Sequence, residues 1–525
     1  MSATTAAHAA DGMVASPHYL ATAAGVEILR RGGTAADAIV AAAAVLAVAY
    51  PHMCSIGGDA FALVFNARTG QVTGLNGSGR SPATASLEEF RRRGLREIPL
   101  RGPLPITVPG VVDAWAELSR KHGRLPFSDL LAAAIAFARD GVPVTERLAR
   151  AIATYADDLR ASPAASRIFL ADGVPPAGSI LRQPDLARTL ERIAAVPDSI
   201  YRGDLARELA GAGAAAGGLL TAEDLAEHHA EWVAPLEAAY RDLTVVEMPP
   251  NSGGIIALLI LKLVENLGLE SLEIHDHRRI DVLVRATRLA FATARHRITD
   301  PAFMSSPVEE LLSESSIARL RASLGSTPAR SAGGAVGDTV YLCAVDRDGL
   351  ACSFIQSVYF PFGSTYVADG TGVLFQNRGA YFSLNAANTN VLAPRKRTYH
   401  TLMPAMALRG GRPWLVFGTM GADGQAQTQA QVLTAIVDLG LDPQAALDAP
   451  RWLAGRFLVG DPDDALTLER RFPPTTIEGL RTLGHRVRIV EGWSDVMGHA
   501  QAIRILDDAY VGGADRRGDG LAAGI

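Results

Sequence analysis

The stretch "SAGGAVGDTVYLCAVDRDGLACSFIQS", residues 331–357, changes character at Asp338-Thr339. Before that point the chain is small and Gly-rich. After it, "TVYLCAVD" and "LACSFIQSVYF" are rich in β-branched and aromatic residues and flank Arg347-Asp348-Gly349, a turn signal that predicts a β-hairpin. The preceding run "RASLGSTPARSAGGAVGD", residues 321–338, has too little apolar periodicity to hold itself rigid and reads as a flexible linker.

Outward from this hairpin, helix and strand signals segregate along the chain. Ser16 is placed to cap "PHYLATAAGVEILRR", and Thr34 to cap "AADAIVAAAAVLAVAY", which Pro51 stops. This predicts two packed helices ahead of the first strands. A hairpin is expected around Ala67-Arg68-Thr69-Gly70 and another around Gly410-Gly411. Between them, "GVVDAWAELSRKHG", "FSDLLAAAIAFARDG" and "RRIDVLVRATRLAFATARHR" carry helical periodicity, with "YRDLTVVEMPP" a strand; "GQAQTQAQVLTAIVDLG" and "PQAALDAP" are later helices. The order predicts two sheets covered by helices, an α+β layered fold. No G-x-G-x-x-G, G-x-x-x-x-G-K-[ST] or G-x-S-x-G motif is present.

Composition narrows the partners. The 525 residues are 48% hydrophobic and 20% charged, with a net charge of −5 and no basic block, which argues against nucleic acid or a membrane surface. A small molecule is the expected partner. The longest apolar run, residues 38–50, is too short to span a bilayer and reads as a buried helix. No secretory signal is evident at the start, and Cys54, Cys343 and Cys352 do not make a disulfide framework, so a cytoplasmic location is expected. Cys343 and Cys352 read as small core residues. "HDH" at His275–His277 and "HMC" at His52–Cys54 lack the partner motifs of a metal site, so no metal is assigned.

Thr339 carries the chemical possibility. A Thr hydroxyl is a weak nucleophile inside a chain, but at a free N-terminus its α-amine, with a pKa near ~7.7–8.0, can serve as the base. Cleavage between Asp338 and Thr339 would create that terminus. On residue types alone, Gly337-Asp338 also reads as an ordinary turn and Thr339 as a β-branched strand residue.

Several motifs break this tie. "GGTAADAIVAAAAVLAVAYPHMCSIGGDAFALV", "TVPGVVDAW", "TAEDLAEHHAEWVAPLEAAYRDLTVVEMPPNSGGIIAL", "GDTVYLCAVDRDG", "GTMGADGQAQTQ" and "GGADRRGDGLAAG" occur in the order found in gamma-glutamyltransferases, so the chain resembles that family of N-terminal-nucleophile hydrolases over nearly its whole length. The resemblance implies a four-layer αββα sandwich and a self-cleaving proenzyme. Residues 1–338 would form a large subunit and 339–525 a small one, intertwined as one domain; pairing of two such heterodimers is left open. It further implies Thr339 as nucleophile, Ser357 as its supporting hydroxyl, and backbone N–H groups of Gly421 and Ala422 as the oxyanion hole, where the family has Gly-Gly. No cofactor is implied.

The substrate side departs from the glutathione-cleaving members. Their acidic "NNQMDDF"-type segment aligns with "QNRGAYF", residues 376–382, so Arg378 and Tyr381 stand where Gln and Asp would hold an α-ammonium. His400-Thr401 replace a Ser pair and Tyr359 replaces an Asn, while Arg80 lies within one residue of the family's carboxylate-binding Arg. Arg378 also reads as a structural ion-pair residue. The pattern is similar to the branch containing oxamate amidohydrolase and cephalosporin-acylase-like enzymes. It implies hydrolysis of a small amide bearing a carboxylate. An orthodox glutathione hydrolase and an unprocessed, inert binding protein are the alternatives.

Overall fold

The computed structural model describes residues 5–325, 337–458 and 460–525, with the backbone only at Asp338. Most of the expected 321–338 linker therefore lies outside the described residues. Two seven-stranded sheets, each antiparallel throughout, form the centre. One runs Leu521–Gly524, Gly12–Ser16, Asp338–Asp346, Ala351–Tyr359, Asp59–Asn66, Gln71–Gly77, Glu231–Val233. The other runs Ala7–Ala9, Tyr510–Ala514, Ala500–Ile505, Arg412–Thr419, Ala405–Arg409, Leu243–Glu247, Leu236–Tyr240. Both sheets take strands from before and after residue 339.

Period-two alternation builds the layers. In Asp338–Asp346, Tyr341, Cys343 and Val345 enter the core between the sheets, whereas Val340, Leu342 and Ala344 face the covering helices. Phe61, Leu63 and Phe65 share the inter-sheet core, joined from the facing sheet by Val246, Met406, Val416 and Ile503. Helix Ala35–Ala49 is buried at every position, as an apolar surface all round requires, and packs on the outer face of the first sheet. Helices Gly254–Val264, His277–Ala294 and Gly424–Leu439 cover the second. The result is the expected helix–sheet–sheet–helix sandwich.

Local signals fared unequally. Thr34 caps its helix in a capping box with Asp37, and the hairpins around Gly70, Gly349 and Gly410-Gly411 form as read. Ser16 does not cap the first helix. It ends strand Gly12–Ser16, and His18 caps Tyr19–Arg30 by accepting the Leu20 N–H. Two strands therefore precede the helix pair, because "GMVAS" is apolar enough to be buried between Asp338–Asp346 and Leu521–Gly524. All three cysteines are free and buried, and burial raises their thiol pKa values. No helix among the described residues is long and apolar enough to cross a membrane.

Candidate active site

Thr339, Ser357 and Asp59 lie on three adjacent strands of the first sheet. Ser357 and Asp59 are direct partners in the register. Opposite Ser357-Val358, the pairing of Asp338–Asp346 slips between Asp338 and Val340, so Thr339 sits in a bulge, a feature that re-aims a side chain. The Thr339 hydroxyl donates to Ser357 Oγ at 3.1 Å. Ser357 Oγ also accepts from the Tyr359 N–H at 2.7 Å and from Arg378 Nη2 at 3.2 Å. Tyr359 has φ 77°, a left-handed backbone rare outside glycine, and this tight turn brings its N–H back to Ser357.

Arg378 opens the short helical turn Arg378–Tyr381, and its two predecessors anchor that turn. Gln376 donates to the carbonyl and hydroxyl oxygens of Thr107 and accepts the Arg378 N–H; Asn377 bonds the Leu100 carbonyl and the Phe360 N–H. The Arg378 side chain is 2% exposed. Its guanidinium lies 4.6 Å from the Tyr359 ring centre and 5.6 Å from that of Tyr381. Its Nε is 4.0 Å from Asp59 Oδ2, and among the described residues neither Nε nor Nη1 has a hydrogen-bond partner. A buried charge with two unused donors is costly unless something else meets them.

Asp59 completes the cluster, and the motif reading missed it. Oδ1 accepts the Gly79 N–H at 3.0 Å, and Oδ2 is 3.2 Å from His400 Nε2. Because His400 Nδ1 faces the Leu402 N–H at 3.5 Å, the network assigns the ring proton to Nε2, which donates to Asp59. Burial, reinforced by Arg378, holds the His400 pKa well below the usual imidazole value, so the ring is neutral. Thr401 is buried beside it in the chain. The visible signal for Asp59 was one carboxylate in "IGGDAFALV", a strand otherwise fit for burial.

On the side of the second sheet, Gly421 and Ala422 lie between strand Arg412–Thr419 and helix Gly424–Leu439. Among the described residues their N–H groups donate to nothing, although Ala422 is buried. Adjacent unpaired donors of this kind are rare and suit an incoming oxyanion. Ala422 has φ 49°, so it accepts the left-handed backbone that a Gly would take without strain. A Cβ on Gly337 would come within 2.9 Å of the Ala422 Cβ, which puts the chain leading to Thr339 directly against this loop. The ring of Tyr381 packs 4.4 Å from Tyr359 and 5.6 Å from Tyr399. The Tyr399 hydroxyl donates to Asp423 at 3.3 Å, and Arg295 stacks on the Tyr399 ring at 3.8 Å.

Not every expected residue converges here. The Arg80 guanidinium is held by Asp300 at 3.0 Å and Glu231 at 3.1 Å, and it lines an open pocket of about 270 Å³ with His228, His229, Arg395 and Arg397. Only the neighbouring backbone, the Gly79 N–H, touches the Asp59 cluster. His52 packs on Tyr50 and His275 on Phe472, and no three His, Cys, Asp or Glu side chains among the described residues are grouped to hold a metal.

With this geometry in place, comparison supplies its relatives. A family model described as gamma-glutamyltranspeptidase matches residues 21–525. The chain is 42% identical to the glutathione hydrolase-like YwrD proenzyme of Bacillus subtilis, over 98% of each chain. It is also 42% identical to the oxamate amidohydrolase proenzyme of Klebsiella pneumoniae, again over 98% of each. Among solved structures, cephalosporin acylase from Bacillus halodurans superposes with a TM-score of 0.93 at 37% identity, covering 100% of this chain and 98% of that one.

Proposed function

The chain belongs to the gamma-glutamyltranspeptidase family, and we propose that within it the protein is a self-cleaving threonine amidohydrolase for small amides that carry a free carboxylate. Self-cleavage would begin when Thr339 Oγ attacks the Asp338 carbonyl carbon, with the Thr339 amide nitrogen leaving as the new amine. Water then opens the resulting ester to give the Asp338 carboxylate and a free Thr339. In the matured site, Thr339 Oγ attacks the substrate amide and passes its proton to its own α-amine. The N–H groups of Gly421 and Ala422 hold the oxyanion, the amine leaves with the proton, and water releases the acid from the acyl-threonine. Residues 1–338 and 339–525 would be the two subunits, and the unpaired cysteines fit a cytoplasmic setting.

One observation carries the substrate assignment: buried Arg378 donates to Ser357, the hydroxyl that also accepts from Thr339, and among the described residues its Nε and Nη1 donate to nothing. A carboxylate matches that cation in charge and can accept from Nη1, whereas an α-ammonium would be repelled. Acids are close by, but Asp59 already faces Arg378 and His400, and Asp423 faces Tyr399 and Arg295. The names of the two relatives at 42% identity, one an oxamate amidohydrolase, support the same reading.

The test has two stages. A denaturing gel with intact-mass measurement should show fragments 1–338 and 339–525 for the wild type and one uncut chain for Thr339→Ala; an uncut, inactive wild type would leave an inert binding protein. The matured enzyme should then turn over oxamate or glutaric monoamide faster than gamma-glutamyl anilide or glutathione. A tenfold advantage for the gamma-glutamyl compounds would instead make it a glutathione hydrolase.

A further inference from the structure

We propose that Asp59 is a specificity-determining positioning residue whose carboxylate competes with the substrate carboxylate for Arg378, so that binding an anion draws one proton into the Asp59–His400 pair. The inference rests on the reading of Arg378 as the substrate's carboxylate partner.

Charge counting within the cluster leads to it. Arg378 and Asp59 are both buried, their charged atoms 4.0 Å apart, and His400, hydrogen-bonded to Asp59, is neutral. The pair sums to zero. A carboxylate arriving at Arg378 Nη1 would make the sum −1 in a space that water barely reaches, with two like charges sharing one guanidinium. Taking a proton onto Asp59 returns the sum to zero and gives the substrate the undivided cation.

The surroundings leave room for that proton. Asp59 is faced by Arg378 from the turn, His400 from the opposite sheet's approach, the Gly79 N–H from its own hairpin's end, and Arg397 more distantly. Of the last two, the N–H is short-ranged and Arg397 is already committed to Glu231 at 2.8 Å. Burial wins over these attractions and lifts the Asp59 carboxyl to about 7. Near neutrality, then, the proton is exchangeable. Asp59 and His400 share a hydrogen bond, so the titration belongs to the pair. A neutral amide gives no such coupling, and a cationic one is opposed once Asp59 is protonated and Arg378 is left uncompensated. The device therefore ranks substrates by charge and makes the ranking steeper as pH falls.

Calorimetry on the matured enzyme with oxalate as probe tests this directly. At pH 8 the heat should vary with the ionisation enthalpy of the buffer by an amount equal to nearly one proton taken up; at pH 5.5, where Asp59 is already protonated, uptake should vanish. Oxalate affinity should fall about tenfold per pH unit above 7. Asp59→Asn should bind oxalate more tightly than wild type at pH 8 and take up about one proton fewer, any remaining uptake belonging to the Thr339 α-amine that the matured site also carries. Wild-type binding that is lost in Arg378→Leu yet takes up no proton at pH 8 overturns the role of Asp59 and leaves the function reading intact. Oxalate binding unchanged in Arg378→Leu overturns the function reading itself.

Discussion

Arg378 and Arg80 carry the same charge in opposite settings. The Arg378 side chain is 2% exposed and meets one carboxylate at 4.0 Å; the Arg80 side chain is 36% exposed and meets two, at 3.0 and 3.1 Å. The first is dry and under-compensated, the second wet and fully compensated. Affinity for an incoming anion depends on that residue of charge, not on the presence of an arginine. The family resemblance brings both to the substrate side, and only their surroundings separate them.

The largest effect should come from removing the under-compensated charge. Arg378→Leu is expected to lower kcat/KM for oxamate-like substrates by ~2–5 kcal/mol in transition-state terms, with a neutral amide of similar size affected far less. Steady-state kinetics on the two substrates check it. Equal losses would mean that Arg378 only supports Ser357, through the 3.2 Å hydrogen bond, and the contrast with Arg80 would collapse.

A second effect concerns the precursor. Gly337 approaches the Ala422 Cβ so closely that any side chain at 337 collides. Gly337→Val should therefore slow self-cleavage by tenfold or more, followed by mass spectrometry after expression. Once cut, the enzyme should be normal, since residue 337 leaves with the preceding segment. A matured Gly337→Val enzyme with altered kcat would place residue 337 in the working site.

Arg80→Ala should do much less. Its two acids keep other partners, Arg397 Nη1 for Glu231 and the Arg397 N–H for Asp300, so no buried charge is stranded. A partly exposed ion pair is worth ~0–1 kcal/mol, so kcat/KM for oxamate should change by less than about fivefold. A loss matching that of Arg378→Leu would show both cations acting on one substrate.

These contrasts mark what the amino-acid sequence could convey. Signals acting within a few residues were legible: the Asp-Gly turn that closes Asp338–Asp346 on Ala351–Tyr359, and the Thr34–Asp37 capping box. The short strand Gly12–Ser16 was not, because its partners lie more than 300 positions away and its own five residues carry no turn signal. Asp59 failed for the same reason at the site. Its partner His400 is 341 positions distant, and a lone acid on a strand gives no indication of which groups will neutralise it. The hydroxyl pair Thr339–Ser357 was found because the family motif fixes both, whereas the charge state around Arg378 is a property of the folded cluster.

The smallest effect should come from Ala422→Gly, where three terms nearly cancel. Relieving φ 49° removes ~1–2 kcal/mol of left-handed strain. Against this, Gly adds unfolded-state freedom of ~0.4–1 kcal/mol, and the lost buried methyl costs about 0.8 kcal/mol. Stability should thus move by less than about 1 kcal/mol, read as a small shift in Tm. The Ala422 N–H remains, so oxamate turnover should change less than about twofold. Self-cleavage offers the sharper readout, because the methyl is the atom that Gly337 approaches. In the double variant Gly337→Val/Ala422→Gly the collision is relieved, and processing should recover most of the rate lost in Gly337→Val alone. If the double variant processes no faster than the single one, the obstruction at 337 comes from the Tyr359 carbonyl, 3.2 Å from the same Cβ, and the loop at Gly421-Ala422 has no part in presenting the bond that is cut.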